Sequence, residues 1–145
     1  MSGLDPILRH IVSGHEAETD HRCSAAASRR QAVMAMQKAG ALRSAADQLA
    51  AASVLVFSEV AAEVQAAQAL ALTAMPMLRR ARLLAATAYD RLRRLAGEPQ
   101  KFGTQVVERE GARELWPVDP NTTDSERAKW DVPPLAEILR NLGKR

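Results

Sequence analysis

Asp90 and Arg91, followed closely by the run Gly97-Glu98-Pro99-Gln100-Lys101-Phe102-Gly103-Thr104-Gln105, are the residues of this chain best suited to chemistry. A carboxylate beside a guanidinium can hold a polar or anionic ligand. Alternatively, Asp90 can act as acid or base while Arg91 holds an anion and Thr104 or Gln105 orients a substrate. The candidate catalytic residues are therefore Asp90, Arg91, Thr104 and Gln105, and the candidate ligand-binding residues are Gln100, Phe102, Gly103, Thr104 and Gln105. Gly97 and Gly103 give the segment backbone freedom, and its amides demand hydrogen-bond partners. Two facts hold the reading open. Consecutive helical residues point about 100° apart, so Asp90 and Arg91 need not converge, and the amides can equally serve a buried junction by satisfying loop backbone groups.

A second candidate is electrostatic. Residues 76–97 carry six arginines against Asp90 alone, whereas residues 1–75 carry six basic against seven acidic side chains and residues 98–145 eight against nine. The net charge of +3 thus arises in one segment. Arg79, Arg80, Arg82, Arg91, Arg93 and Arg94 form a basic face that can meet an anionic protein, or phosphates. The bland reading is a solvated face with an Asp90–Arg94 pair at helical spacing. Aromatic residues are not interleaved with the arginines and no base-reading module is present, which makes nucleic acid an unlikely partner.

His10, His15, His21 and Cys23, with Glu16, Glu18 and Asp20, invite a metal site, but the histidines are five and six residues apart. Ligands on one helix face want three or four. No metal and no cofactor is expected. Cys23, the only cysteine, excludes an intramolecular disulfide and fits a reducing cytoplasm. It has no base beside it and reads as a buried small residue in an alanine-rich helix.

The elements that must position these residues are mainly helical. Apolar residues make up 47% of the 145 and aromatics only 3%, so the core is built from Ala, Leu, Val and Met, which suits close-packed helices in one domain. No apolar run reaches the length of a membrane span and Met1–His10 lacks the pattern of a signal peptide, so the expectation is a cytoplasmic protein with no membrane partner. A homo-oligomer is allowed.

Along the chain, residues 1–40 form an N-terminal helical segment. Asp5-Pro6 opens a helix that Gly14 is expected to break, and His15–Lys38 is helical again, with its polar start facing solvent or a partner. In residues 44–97, Ser44 caps a helical stretch without Gly or Pro to Met75, read as a hairpin broken near Ser58-Glu59 rather than one long helix. Pro76 opens a helix ending before Gly97, whose arc of Met77, Leu78, Ala81, Leu84, Ala85, Ala88, Tyr89, Leu92 and Leu95 is core, with Leu83 intruding on the basic side. In residues 98–145, 104–110 and 113–118 form a β-hairpin turning at Glu110-Gly111-Ala112. Thr123 or Asp124 caps a short helix, and Pro133-Pro134 introduces the last one. Trp116 and Trp130 anchor this segment to the helical body.

Tyr89-Asp90-Arg91-Leu92, the Gly97–Gln105 run, Leu115-Trp116-Pro117-Val118-Asp119-Pro120 and Pro133-Pro134-Leu135-Ala136-Glu137 together resemble an uncharacterised bacterial domain family of unknown function. Its pattern is an Asp-Arg helix end, a Gly-x-Pro-Gln-x-Tyr/Phe-Gly-Thr-Gln loop and a Pro-Pro-Leu helix start. The resemblance spans about residues 44–140, and it implies that residues 44–94 are similar to a degenerate helical repeat with a break near Ser58. Relatives carry a histidine-containing segment where this chain reads Val56-Phe57-Ser58-Glu59, so chemistry resting on that histidine is not expected here. The resulting expectation is a small binding or interaction module that uses the Gly-Thr-Gln loop and the arginine face to receive a protein, peptide or small anionic ligand. An enzyme acting at an Asp90/Arg91/Gln105 pocket is the alternative, and nucleic-acid binding through the arginine face the third.

Overall fold

Side-chain caps set most helix starts in the computed structural model, which describes residues 4–143. Asp5 Oδ1 accepts from the backbone N–H groups of Ile7 (2.8 Å) and Leu8 (3.3 Å), and Pro6 stands at the first helical position of α1 (Pro6–Ala17). Ser44 Oγ accepts from Asp47 N at 3.0 Å and opens α3 (Ala45–Leu55). Thr123 and Glu126 form a reciprocal capping box at α6 (Asp124–Lys129), and Pro134 precedes α7 (Leu135–Asn141).

Two expected boundaries move. Helix α1 runs straight through Gly14, and the break falls later, before α2 (Ser24–Lys38). The cause is a set of polar side chains that bond their own backbone. Glu18 Oε1 accepts from Thr19 N and Asp20 N, and Asp20 Oδ1 accepts from Arg22 N. Cys23 is accordingly not a buried residue within a helix. It is half-buried and caps α2, its Sγ accepting from Ala26 N at 3.3 Å. The polar start is not simply solvent-facing either, since His15 and His21 are half-buried and their rings lie 4.6 Å apart against Phe57.

The second change concerns Pro76. It sits in a turn, and α5 (Ala81–Leu95) begins five residues later. Ala74 O accepts from Met77 N and Leu78 N, and Leu78 O accepts from Ala81 N, which tucks Leu78 against Leu49, Ala74 and Ala81. Arg79 and Arg80 therefore lie in the turn and not on the helix.

The stretch from Ser44 to Met75 is two helices, α3 and α4 (Ala61–Ala74), broken around Ser58 as expected. Ser58 is fully buried. Its Oγ donates to Glu63 Oε1 at 2.5 Å and accepts from Val60 N at 2.8 Å, which holds the turn closed. Helices α3, α4 and α5 pack as consecutive hairpins through Ala51, Ala52, Ala67, Ala71, Ala85 and Ala88, with Val54, Leu55 and Val64 filling between them. Alanine on facing sides lets helix axes approach toward the short end of about 8–10 Å. Leu8, Ile11 and Val33 dock α1 and α2 on the same core.

Strands β1 (Val106–Arg109) and β2 (Ala112–Leu115) pair antiparallel, Val106 opposite Leu115 and Arg109 opposite Ala112. Glu110 and Gly111 both have positive φ, 52° and 80°, the two-residue turn that matches strand twist. Beyond it, Val132, Trp130 and Ile138 close over Ala86, Tyr89 and Phe102, clasping the C-terminal segment to α5. The fold is mainly α, with one hairpin and a C-terminal helix. No described helix is long and apolar enough to cross a membrane.

The alanine interfaces leave no room for larger side chains. Ala67→Leu, at a fully buried position of α4, should lower stability by about 1–3 kcal/mol, whereas Ala69→Leu on the exposed side should change it by less than about 0.5 kcal/mol. Urea unfolding of the two variants checks both. Burial, helped by the charges of His21, Arg29 and Arg30, holds His15 below its ordinary pKa of 6.5. Its contribution to stability is thus fully present above about pH 6.5 and lost as pH falls through the lower folded value. His15→Phe, which keeps a ring against Phe57, should flatten the melting temperature between pH 7 and 5, measured by thermal unfolding across that range.

Candidate functional site

Just past the end of α5, Gly97 reverses the chain with φ of 75°, and Glu98 N reaches back to Arg93 O at 2.9 Å. The reversal lays residues 100–105 alongside the last turns of α5, over Asp90. The Asp90 side chain is fully buried, and its carboxylate is caged by the loop. Oδ1 accepts from the backbone N–H groups of Lys101 (2.8 Å) and Phe102 (3.0 Å). Oδ2 accepts from Gly103 N (3.1 Å), Thr104 N (3.0 Å) and Thr104 Oγ1 (2.8 Å). Four consecutive backbone donors thus converge on one side chain, and Gly103 makes the curvature possible with φ of 112°. A Cβ at that glycine would also stand 3.2 Å from Ile138 Cδ1.

Gln100, likewise fully buried, braces the loop from the other side. Its Nε2 donates to Gln105 O (2.9 Å) and Trp116 O (2.8 Å), and its Oε1 accepts from Gln105 N (2.8 Å). Its backbone bonds Pro117 O and Asp119 N, which ties the loop to the strand leaving the hairpin. Gln105 completes the set: Oε1 accepts from Arg94 Nε at 3.2 Å, and Nε2 lies within 3.5 Å of Thr87 O and 3.4 Å of Thr104 Oγ1. Asp90, Gln100, Phe102, Gly103, Thr104 and Gln105 are brought together. Each buried side-chain polar atom among them meets a protein partner.

Arg91 is not part of this assembly. Its guanidinium crosses to the α3–α4 turn, where it donates to Ser58 O (2.6 Å), Phe57 O (2.9 Å) and Glu59 Oε1 (2.9 Å). Burial pulls its pKa down from the ordinary arginine value, and Glu59 pulls against that. The Asp90–Arg91 pair therefore does not converge, for the helical reason stated above. Nor does Arg94 pair with Asp90, because it reaches Gln105 and Glu59 instead.

The uniform basic face is corrected in the same way. Arg79 makes a two-pronged ion pair with Asp131 at 3.0 and 2.9 Å. Arg93 donates to Pro99 O at 2.6 Å and pairs with Glu98. Arg80 in the turn is exposed, and the partly exposed Arg82 acts with Arg79 on Asp131. One site residue went unread in the sequence. Arg127 is 2% exposed, donates to Phe102 O (2.7 Å) and Thr122 O (3.2 Å), and pairs with Asp124 at 3.0 Å. A buried arginine looks like any other basic residue of a short polar helix, so its neighbours along the chain carry no signal.

Beside the loop, Gln68, Tyr89, Leu92, Arg93, Ala96 and Glu98 line a shallow cleft of about 200 Å³ between α4 and the end of α5. Among the described residues no three His, Cys, Asp or Glu side chains cluster as metal ligands. No family model, curated protein or solved structure matches the chain.

Asp90→Asn replaces one acceptor oxygen by a donor facing N–H groups. It should cost roughly 3 kcal/mol, in line with buried hydrogen bonds to a charged group. Gly103→Ala should cost about 1–3 kcal/mol through its φ and the approach to Ile138. Chemical unfolding measures both, and amide hydrogen exchange at Phe102 and Gly103 should accelerate in Asp90→Asn with the helices still protected.

Proposed function

We propose that this chain is a small cytoplasmic binding or interaction module, in which the Gly-Thr-Gln loop and the arginine side of α5 frame the receiving surface for a protein, peptide or small anionic ligand. The observation that carries the reading is the cage around Asp90. Its two oxygens already take five donors, so the carboxylate acts as a structural acceptor that fixes the loop, and an acid-base role would break that set. A loop fixed before binding loses little freedom on meeting a partner. The cleft next to it offers Tyr89, Gln68 and an Arg93–Glu98 ion pair that a ligand can open, in a volume below the roughly 300–1,000 Å³ of small-molecule pockets, the size for one side chain or a small anion. The same cage gives physical meaning to the likeness with the Asp-Arg and Gly-Thr-Gln domain family, to which we assign the chain on this reading.

Native mass spectrometry and thermal-shift screening of the purified chain against small carboxylates, phosphates and acidic peptides test it. A ligand that stabilises the wild type and loses that effect in Arg93→Gln is the expected outcome. Turnover of a substrate that survives Arg93→Gln and disappears in folded Asp90→Asn would overturn it and make Asp90 catalytic.

A further inference from the structure

A second opening lies between α1 and α2, a cleft of about 340 Å³ lined by His10, Ile11, Ser13, Gly14, Ala17 and Arg29. Its polar wall consists of His10, Ser13 and Arg29, with no carboxylate among the lining residues. We propose that this cleft is an anion-binding site in which Arg29 receives the oxyanion of a small carboxylate or phosphate ligand.

Three independent observations carry this. Arg29 Nε is buried and has no hydrogen-bond partner, unlike the buried guanidiniums of Arg30 and Arg127, whose Nε atoms donate at 3.0 and 2.7 Å. The charge of Arg29 is paired with Glu18 through Nη2 at 3.5 Å, but a buried N–H is ordinarily bonded as well, and Nε has no partner within the chain. Next, Arg29 lies over Gly14. A Cβ built there would come within 3.3 Å of Arg29 Cδ and 3.5 Å of its terminal nitrogen, so glycine in mid-helix, unfavourable for the helix itself, gives the side chain its seat. Third, the neighbouring acid does not occupy Nε. Glu18 accepts from Thr19 N, Asp20 N and Cys23 Sγ at 2.9–3.3 Å, and its ion pair with Arg29, at 3.5 Å, uses Nη2 and leaves Nε free. The planar guanidinium presents adjacent N–H groups that match two oxygens of one carboxylate or phosphate. Ser13 and His10 supply further donors on the same wall.

The test is a titration of the full chain followed by nitrogen-15 NMR of the arginine Nε–H groups, with inorganic phosphate in one arm and acetate in the other, at ionic strength held constant with chloride. Arg29 Nε, assigned by its disappearance in Arg29→Lys, should shift saturably in at least one arm, and the tighter arm names the ligand class. Gly14→Ala should weaken binding at least tenfold while the melting temperature holds or rises, since alanine favours the helix but takes the arginine's seat. Arg29→Lys, which keeps the charge and loses the fork, should weaken His10 and Ser13 amide shifts by a similar factor. Shifts that fail to saturate in both arms, or an affinity unchanged in Gly14→Ala and Arg29→Lys, would overturn the site.

Discussion

The carboxylate of Asp90 gathers the backbone N–H groups of residues 101–104 at the end of a helix, and the C-terminal third of the molecule is arranged around that gathering. A loop entering the interior must satisfy every main-chain donor it buries, which strands and helices do by pairing with backbone. Here a single side chain does it, because a carboxylate offers about four lone-pair directions and a full charge. Once the N–H groups face Asp90, the carbonyl of Phe102 faces away and needs a donor of its own, which is Arg127. The Phe102 ring then meets Tyr89 and Trp130, and Gly103 lies under Ile138. One buried charge thereby fixes the loop, the capped helix α6 and the seat of α7.

The arginines that give the chain its positive excess follow a related logic. Arg91 and Arg94 reach the α3–α4 turn through Glu59 and the carbonyls of Phe57 and Ser58, and Arg93 closes on Pro99 O. The forks of Arg91 and Arg94 tie together segments more than thirty residues apart in the chain. Helical hairpins built on alanine have shallow side chains at their interfaces and little to specify the pitch of one against the next. Long donors that bond carbonyls at named positions supply that specification. The charge distribution is therefore a record of cross-links as much as of surface potential.

What was legible in the sequence was local. Asp5-Pro6, Ser44 and Thr123 announce helix starts because a cap acts on residues two or three away, and Gly97, Gly111 and the Ser58 region mark reversals for equally short-range reasons. The importance of the Gly97–Gln105 run was visible from its composition. Its bonding was not, since whether Gln100 faces a ligand or Trp116 O depends on where a strand sixteen residues later returns. Gly14 and Pro76 were misread because each signal is permissive. A helix tolerates a glycine where a neighbour needs the space, and a proline fits a turn as well as a first helical position. The reach of Arg91 across to Ser58 has no local signature at all.

The surroundings of Asp90 and of Gly14 differ in a way that bears on function. Around Asp90 the buried side-chain donors and acceptors close on one another, which makes a specified joint but leaves it little chemistry to offer from within; recognition there must use the rim, Arg93, Tyr89 and the cleft beside Glu98. Around Gly14 the balance is reversed, for a glycine is kept at a cost to the helix and a guanidinium nitrogen is buried without a partner. A fold stabilised through alanine packing has little reason to retain either feature for stability alone. Local rules broken without an internal compensation are the places where a structure most directly points to something outside itself.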